Sequence, residues 1–484
     1  MMQAVLLIFI PLLFSIIAFF SNKRVAPFVA LTSSIITLFY FLLLLGSYQV
    51  VEHYLSFNDS ISWIKSMRAF LHVGIDAAAV VPLFMTQLVM CLSILATLVK
   101  GNERDGRYYG LMGLAHAAFN GFFMAQNPIT FYVFFEAALI PVYFLVLKFG
   151  GPDRKRAVFK FFLYTVLGGL LMLAAVLFLQ FNMHAHLTLE TWVDFYKNRI
   201  AVPYQLWLFA AFFIAFAIKS PIFPFHTWQA DLYEQADRPS LMIIAAIMSK
   251  MGVFGFVRFD FIFIESVFRI YYYLIPLCLV GVVYASLIAW RQKNMVRLLA
   301  YSSMAHMGLI AAGILTSTNL GIQGGLFSML THGLVAAGLF FAVDVIQRRT
   351  GATEVDKISG LARVQPRFGA YFFILLLSAI GLPLTCGFIG EFYLLWALTE
   401  YEPYFGVLGG LTLIFGAAYM LRLYQKTMFG AVSSNTSGFG LLNLSEEYIF
   451  LVIGILIIVL GFYPVHWIGF GQYVFEFMNF IPSK

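Results

Sequence analysis

A chain of 484 residues that is 61% hydrophobic and 11% charged, with a mean hydropathy of +0.88, has more apolar surface than one water-bounded core can hide. This excludes a soluble enzyme, a nucleic-acid-binding domain and a disordered chain, and the net charge of +7 has to be read loop by loop. Cys91, Cys278 and Cys386 stand singly in apolar runs and suit neither a disulfide framework nor a metal site.

A helix crossing a bilayer needs about 20 mostly apolar residues. Fourteen such runs are predicted, near 3–20, 27–46, 74–99, 108–126, 128–147, 157–181, 205–223, 239–257, 271–290, 295–316, 320–346, 369–398, 404–429 and 446–465. The first has no positive charge ahead of it and is followed at once by Lys23 and Arg24, so it reads as a retained span. With these spans, 21 of the 30 Lys and Arg fall on one side of the membrane and 7 on the other, which carries both termini. The richer side is expected to be cytoplasmic. The longer connections, 47–73, 182–204, 347–368 and 430–445, are too short for a separate domain. The polar stretch 224–238 is wedged between two spans and is expected to lie along the interface or re-enter.

Lys219 and Lys250 are the two basic residues left inside spans, and Glu136 and Glu391 are their acidic counterparts. A charge at a helix centre costs about 2.5–3.5 kcal/mol on insertion scales, so four of them on separate spans ask for a reason. One pair pinning two helices is the bland explanation. A row of titratable groups across a membrane interior is also what proton transfer requires. His306 and His332 sit among small and hydroxyl residues that admit water, and fit such a row. His116 reads equally well as a packing residue, and His226 lies at the end of a span. No HExxH, CxxC, GxGxxG or Walker loop is present, so neither metal nor nucleotide binding by this chain is expected.

Two spans look broken. Pro221 and Pro224 follow Lys219 in AIKSPIFP, and Gly381 and Pro383 precede Glu391 in AIGLP. The shared A-I-x-x-P pattern, and the weaker echo of GVFGFVR at 252–258 with GAAYMLR at 416–422, relate spans 7 and 8 to spans 12 and 13. Units of five spans, 4–8 and 9–13, would lie in opposite orientations, the inverted-repeat plan of many transporters. The expected fold is therefore all-α and polytopic, with about fourteen transmembrane helices. It divides into N-terminal helices (1–107), a first repeat (108–259), a second repeat (271–429) and a C-terminal connector with the last span (430–484).

AIKSPIFPFHTW with LMIIAAIMSKMGVFGFVRF, FFEAALIPVYF, RLLAYSSMAHMG and GLPLTCGFIGEF resembles the antiporter-like membrane subunits of respiratory NADH:quinone oxidoreductase (complex I), which are related to multi-component Na⁺/H⁺ antiporters. Glu391, where other members carry Lys, points to the M-type chains. The resemblance implies that Glu136 partners Lys219, that Lys250 is a central relay, that Glu391 is the terminal group for proton exit, and that His306 and His332 are polar relay positions. It implies L- and N-type membrane partners and a bacterial inner membrane in preference to a mitochondrial one. NADH, FMN, iron–sulfur clusters and quinone are expected in partner subunits, not in this chain. The alternative is a subunit of a Na⁺/H⁺ antiporter. The chain departs from the family where a second histidine usually follows HxW: Tyr233 stands there instead.

Overall fold

The computed structural model describes residues 3–48, 55–64, 69–99, 104–182 and 202–480. The expected connection 182–204 lies outside the described residues over 183–201, as do parts of 47–73 and the chain ends. In chain order the elements are α1 (Gln3–Phe20), α2 (Ala26–Gly46), β1 (Leu55–Ile64), β2 (Ala69–Asp76), α3 (Ala77–Val99), α4 (Gly106–Phe123), α5 (Pro128–Ala137), α6 (Leu139–Phe149) and α7 (Arg154–Asn182). There follow α8 (Val202–Lys219), α9 (Thr227–Gln235), α10 (Arg238–Ile243), α11 (Lys250–Arg291), α12 (Met295–Ile314), α13 (Asn319–Thr350) and α14 (Leu361–Val364). The last are α15 (Pro366–Ala379), α16 (Cys386–Tyr401), α17 (Pro403–Met428), α18 (Leu444–Phe462) and α19 (Val465–Phe480).

Every predicted apolar run falls on a helix or a pair of helices. Among the described residues, 11 helical stretches are long and apolar enough to cross a membrane, and α8 and α15 are apolar but shorter. Several helices start on a side chain that accepts a first-turn N–H: Asp105 for α4, Asn127 for α5, Asn294 for α12 and Thr318 for α13. The outer faces of α1, α2 and α7 expose Phe, Leu and Ile, as lipid or a neighbouring subunit requires. By contrast, α12 and α13 are buried along nearly their whole length and form the centre of the molecule.

The assigned helix Lys250–Arg291 merges two predicted spans, and at 42 residues would reach about 63 Å if straight. Its contacts show that it folds back. Phe256 and Phe259 pack on Phe216 and Phe212, antiparallel to α8, at 5.5 and 4.9 Å between ring centroids. Tyr271 and Tyr284 then pack on Phe209 and Phe223, parallel to α8, at 5.8 and 5.3 Å. The reversal lies between Phe259 and Ile270, so the run serves as two antiparallel arms.

Two elements were not anticipated. The connection 47–73 contains most of an antiparallel hairpin, β1 with β2. It is stitched to the start of α5: Asn127 Nδ2 donates to Phe70 O (2.8 Å) and His72 N to Thr130 Oγ1 (2.9 Å). Asp59 of β1 accepts Val5 N at 3.0 Å, closing the start of α1. Beyond the last predicted span, Pro464 ends α18 and α19 begins, its Trp467 packed at a tilt against Phe84 of α3, 4.4 Å between ring centroids. The stretch 224–238 forms α9, which buries Trp228, Gln229, Leu232 and Tyr233 and turns Asp231 outward to Lys160 (2.8 Å) and Arg297 (3.2 Å).

Candidate functional site

Pro221 has no N–H to continue α8, and the helix stops at Lys219. Ile222 N closes the end by donating to Ala217 O at 2.9 Å, a bond one residue longer than the helical one. The Ile218 carbonyl is taken by Trp228 Nε1 at 3.0 Å, so the broken end is satisfied without water. Lys219 is 1% exposed; its Nζ donates to Phe135 O at 3.1 Å and lies 4.3 Å from the Phe135 ring centroid. Glu136 is the next residue of α5, where the helix is interrupted at Ala138, three residues before Pro141. Its Oε1 is buried without a hydrogen-bond partner, and it acts on Lys219 through its charge. The carboxylate fits because α7 has glycine at 169: a Cβ there would collide with Glu136 Oε1.

Lys250 is fully buried and begins α11 after a π-turn, Ile244–Met248. Lys250 Nζ donates to Ala245 O (2.7 Å) and to Ser249 Oγ (3.2 Å), both neutral acceptors. Tyr233 is fully buried beside Ser249 and Gln229. Its phenol thus stands one residue from Lys250, at the position where the family resemblance calls for histidine.

The second break, between α15 and α16, is closed in the same way as the first: Leu382 N donates to Leu377 O at 3.0 Å. This closure pairs residue 377 with residue 217, two positions off the register of the A-I-x-x-P echo. In the echo of 252–258 with 416–422 the two arginines have different partners: Arg258 pairs with Asp76, while Arg422 donates to Trp290 O. Gly381 turns the break with φ of 68°, and a Cβ there would strike Glu391 Oε2. Glu391 thus folds back from α16 onto the break.

His306 Nδ1 stands 3.1 Å from Glu391 Oε1, and the His306 and His332 rings are 5.2 Å apart. All three line a cavity with Ser302, Ser303, Ser328, Thr331 and Ser378, whose space for the centres of water-sized spheres is about 40 Å³. That is room for two or three waters, at the 10–15 Å³ or more that each one requires. Ser303 Oγ, Ser328 Oγ, His332 Nδ1 and Glu391 Oε2 are buried there without protein partners, the arrangement that ordered water satisfies. His332 lies within electrostatic range of Lys250.

The six predicted residues therefore fall into three stations: Glu136 with Lys219, Lys250 alone, and His332, His306 and Glu391 together. His116 belongs to none of them. It meets Gln87 Oε1 at 2.6 Å, Gln87 Nε2 donates to Asn120 Oδ1 at 2.7 Å, and Asn120 Nδ2 donates to Leu7 O at 2.7 Å, a chain that ends on backbone and pins α1, α3 and α4. His226 packs against Phe223 and Tyr284. Sequence reasoning passed over Ser302 and Ser328, although each stands four residues before a site histidine, on the same helix face. It also passed over the buried ion pair of Asp76 with Arg258, which joins the hairpin to the helix of Lys250.

A family model described as "NADH:quinone oxidoreductase/Mrp antiporter, TM" matches residues 125–415. "NADH-quinone oxidoreductase subunit M" of Rickettsia prowazekii (strain Madrid E) is 34% identical over 434 residues, covering 88% of both chains. Its counterpart in Rhodobacter capsulatus is 33% identical over 453 residues, covering 91% of this chain and 88% of that one. A chain of "Respiratory complex I from Thermus thermophilus with bound NADH" superposes with a TM-score of 0.89 at 28% identity, covering 99% of this chain and 100% of that one. A chain of the Mrp complex from Dietzia sp. DQ12-45-1b shares the fold, with a TM-score of 0.86 at 20% identity, covering 98% of this chain and 52% of that one.

Proposed function

The chain belongs to the NADH:quinone oxidoreductase/Mrp antiporter family of membrane subunits, and from that premise we propose that it is a proton-translocating membrane-arm subunit of NADH:quinone oxidoreductase. Electron transfer from NADH to quinone, through FMN and iron–sulfur clusters, belongs to partner subunits, and this chain moves protons in response. The observation that carries the reading is the group His332, His306 and Glu391, which shares one cavity with room for water and has Lys250 within electrostatic range of His332.

In this reading a proton from the cytoplasmic face loads Lys219, and Glu136 sets how firmly it is held, because a nearby carboxylate stabilises the ammonium form. Lys250, held only by neutral oxygens, receives it next and passes it to the histidines and on to Glu391, from which it leaves on the far side. Each transfer needs a donor and acceptor within hydrogen-bond reach or one water apart. Fourteen spans, two inverted five-helix repeats around the two breaks, termini outside the cytoplasm, a bacterial inner membrane and L- and N-type neighbours complete the proposal. The similarly closed breaks after Ala217 and Leu377 support the repeat reading. An ion-gradient antiporter is the second reading; the lower identity to the Mrp chain and its half-length coverage favour the first.

The test is proton pumping and NADH:quinone turnover in sealed vesicles with Glu136→Gln and Lys219→Ala. Both activities are expected to fall at least about tenfold in either variant, a bound set below the roughly hundredfold or more that a positioned proton-transfer group contributes. Full-rate pumping in both variants would exclude the row as the path.

A further inference from the structure

The cavity at Glu391 meets a second polar pair that the relay does not use. Ser302 lines the cavity, and its Oγ accepts a hydrogen bond from Tyr419 OH at 3.0 Å. Tyr419 and Ser302 are 1% and 3% exposed. Tyr419 also lines a separate pocket on the molecular surface, together with Lys293, Asp356, Arg422 and Lys426. Lys426 and Asp356 form an ion pair there, and the hydrogen bond from Lys426 keeps the Asp356 carboxyl below its ordinary range and therefore ionised at neutral pH. Tyr419 thus stands between a charged surface pocket and the cavity of Glu391, whose charge it also feels.

We propose that Tyr419 and Ser302 form a second, hydroxyl-gated access route to Glu391, opening on the face that carries Lys293 and Lys426. A proton arriving at the Tyr419 oxygen from the surface pocket displaces the phenolic proton onto Ser302 Oγ. Ser302 in turn releases its own proton into the cavity, toward His306 and Glu391. One proton enters, one leaves, and both hydroxyls are regenerated once they rotate back. The dimensions suit selection: buried hydroxyls in direct contact pass a proton and exclude a hydrated cation. The inference rests on the relay reading and adds a supply to Glu391 that bypasses Lys219 and Lys250. By the charge bias this face is the cytoplasmic one.

The experiment uses the whole purified complex carrying Tyr419→Phe, which keeps the ring and removes only the hydroxyl, alongside Ser302→Ala and Glu391→Gln. Tyr419→Phe and Ser302→Ala are each expected to lower turnover per assembled complex about tenfold, less than the roughly hundredfold or more of a sole proton-transfer group because the route through Lys219 remains, and to raise its solvent deuterium isotope effect, because proton delivery becomes limiting. A packing role would lower the yield of complex and leave the isotope effect unchanged, and that result overturns the route. If Tyr419→Phe fails to assemble, Ser302→Ala decides by the same two readings. Wild-type turnover and isotope effect in both hydroxyl variants, with pumping lost in Glu391→Gln, refutes the route and leaves the relay standing. Full pumping in Glu391→Gln overturns both.

Discussion

The two broken helices are closed by the same kind of backbone bond and differ in what surrounds their charges. At the first, Lys219 rests on a backbone carbonyl and a phenyl ring, among the packed rings of Phe131, Phe135, Phe216 and Phe259. At the second, Glu391 meets an imidazole in a cavity lined by hydroxyls. A proton can be redistributed around Glu391 with little more than side-chain rotation. In the proposed relay, a proton leaving Lys219 starts from a backbone carbonyl and a phenyl ring, where one at Glu391 meets hydroxyls. The lesson is that one backbone device can serve as a dry gate or a wet terminus, depending on whether aromatic or hydroxyl side chains face it.

The largest expected effect comes from breaking the wet terminus at its turn. Gly381→Ala forces a side chain onto a left-handed residue and into the Glu391 carboxylate, so turnover per complex should fall more than about tenfold, measured as NADH:quinone activity. Next is a change to the dry half that acts on stability. Asp76→Ala leaves Arg258 buried and unpaired, a cost of about 3–5 kcal/mol, and should reduce the amount of assembled, heat-stable complex. Gly169→Ala sharpens the comparison from the other side by displacing Glu136, and a loss of about three- to tenfold in pumping is expected, with assembly intact. The smallest effect belongs to Ser328→Ala, which removes one hydroxyl from a cavity that keeps several; turnover should change by less than about threefold, and a larger loss would mean that the cavity has no spare partners.

Much of this was legible in the chain because charge is so scarce in it. Apolar runs marked the helices, and Lys219, Lys250, Glu136 and Glu391 stood out as the charges that no loop explained. Pro221 and Gly381 marked the breaks. Where the reading fell short, the cause lay in contacts distant in sequence. In the hairpin, Phe57, Ile61 and Trp63 alternate with Asn58, Ser60 and Ser62, a period-two pattern interrupted by Asp59 that the long apolar runs on either side swamp. The acceptor of Lys219 is a main-chain carbonyl 84 residues away, which no residue type announces. Tyr419 and Ser302 are 117 residues apart and belong to different predicted spans. Tyr233 could be seen as a departure from the family, but only the fold sets it beside Ser249 and hence near Lys250.

In the proposed relay Lys250 links the two halves. It is fully buried, touches only neutral oxygens and pairs with no carboxylate among the described residues. The most direct measurement is proton uptake or release by sealed proteoliposomes holding the whole complex with Lys250→Met, which keeps the bulk and removes the titratable group. Loss of pumping together with NADH:quinone turnover, in a complex that assembles normally, is the predicted result. Pumping at the wild-type rate would contradict the account, because protons would then cross without the one group that joins the dry gate to the wet terminus.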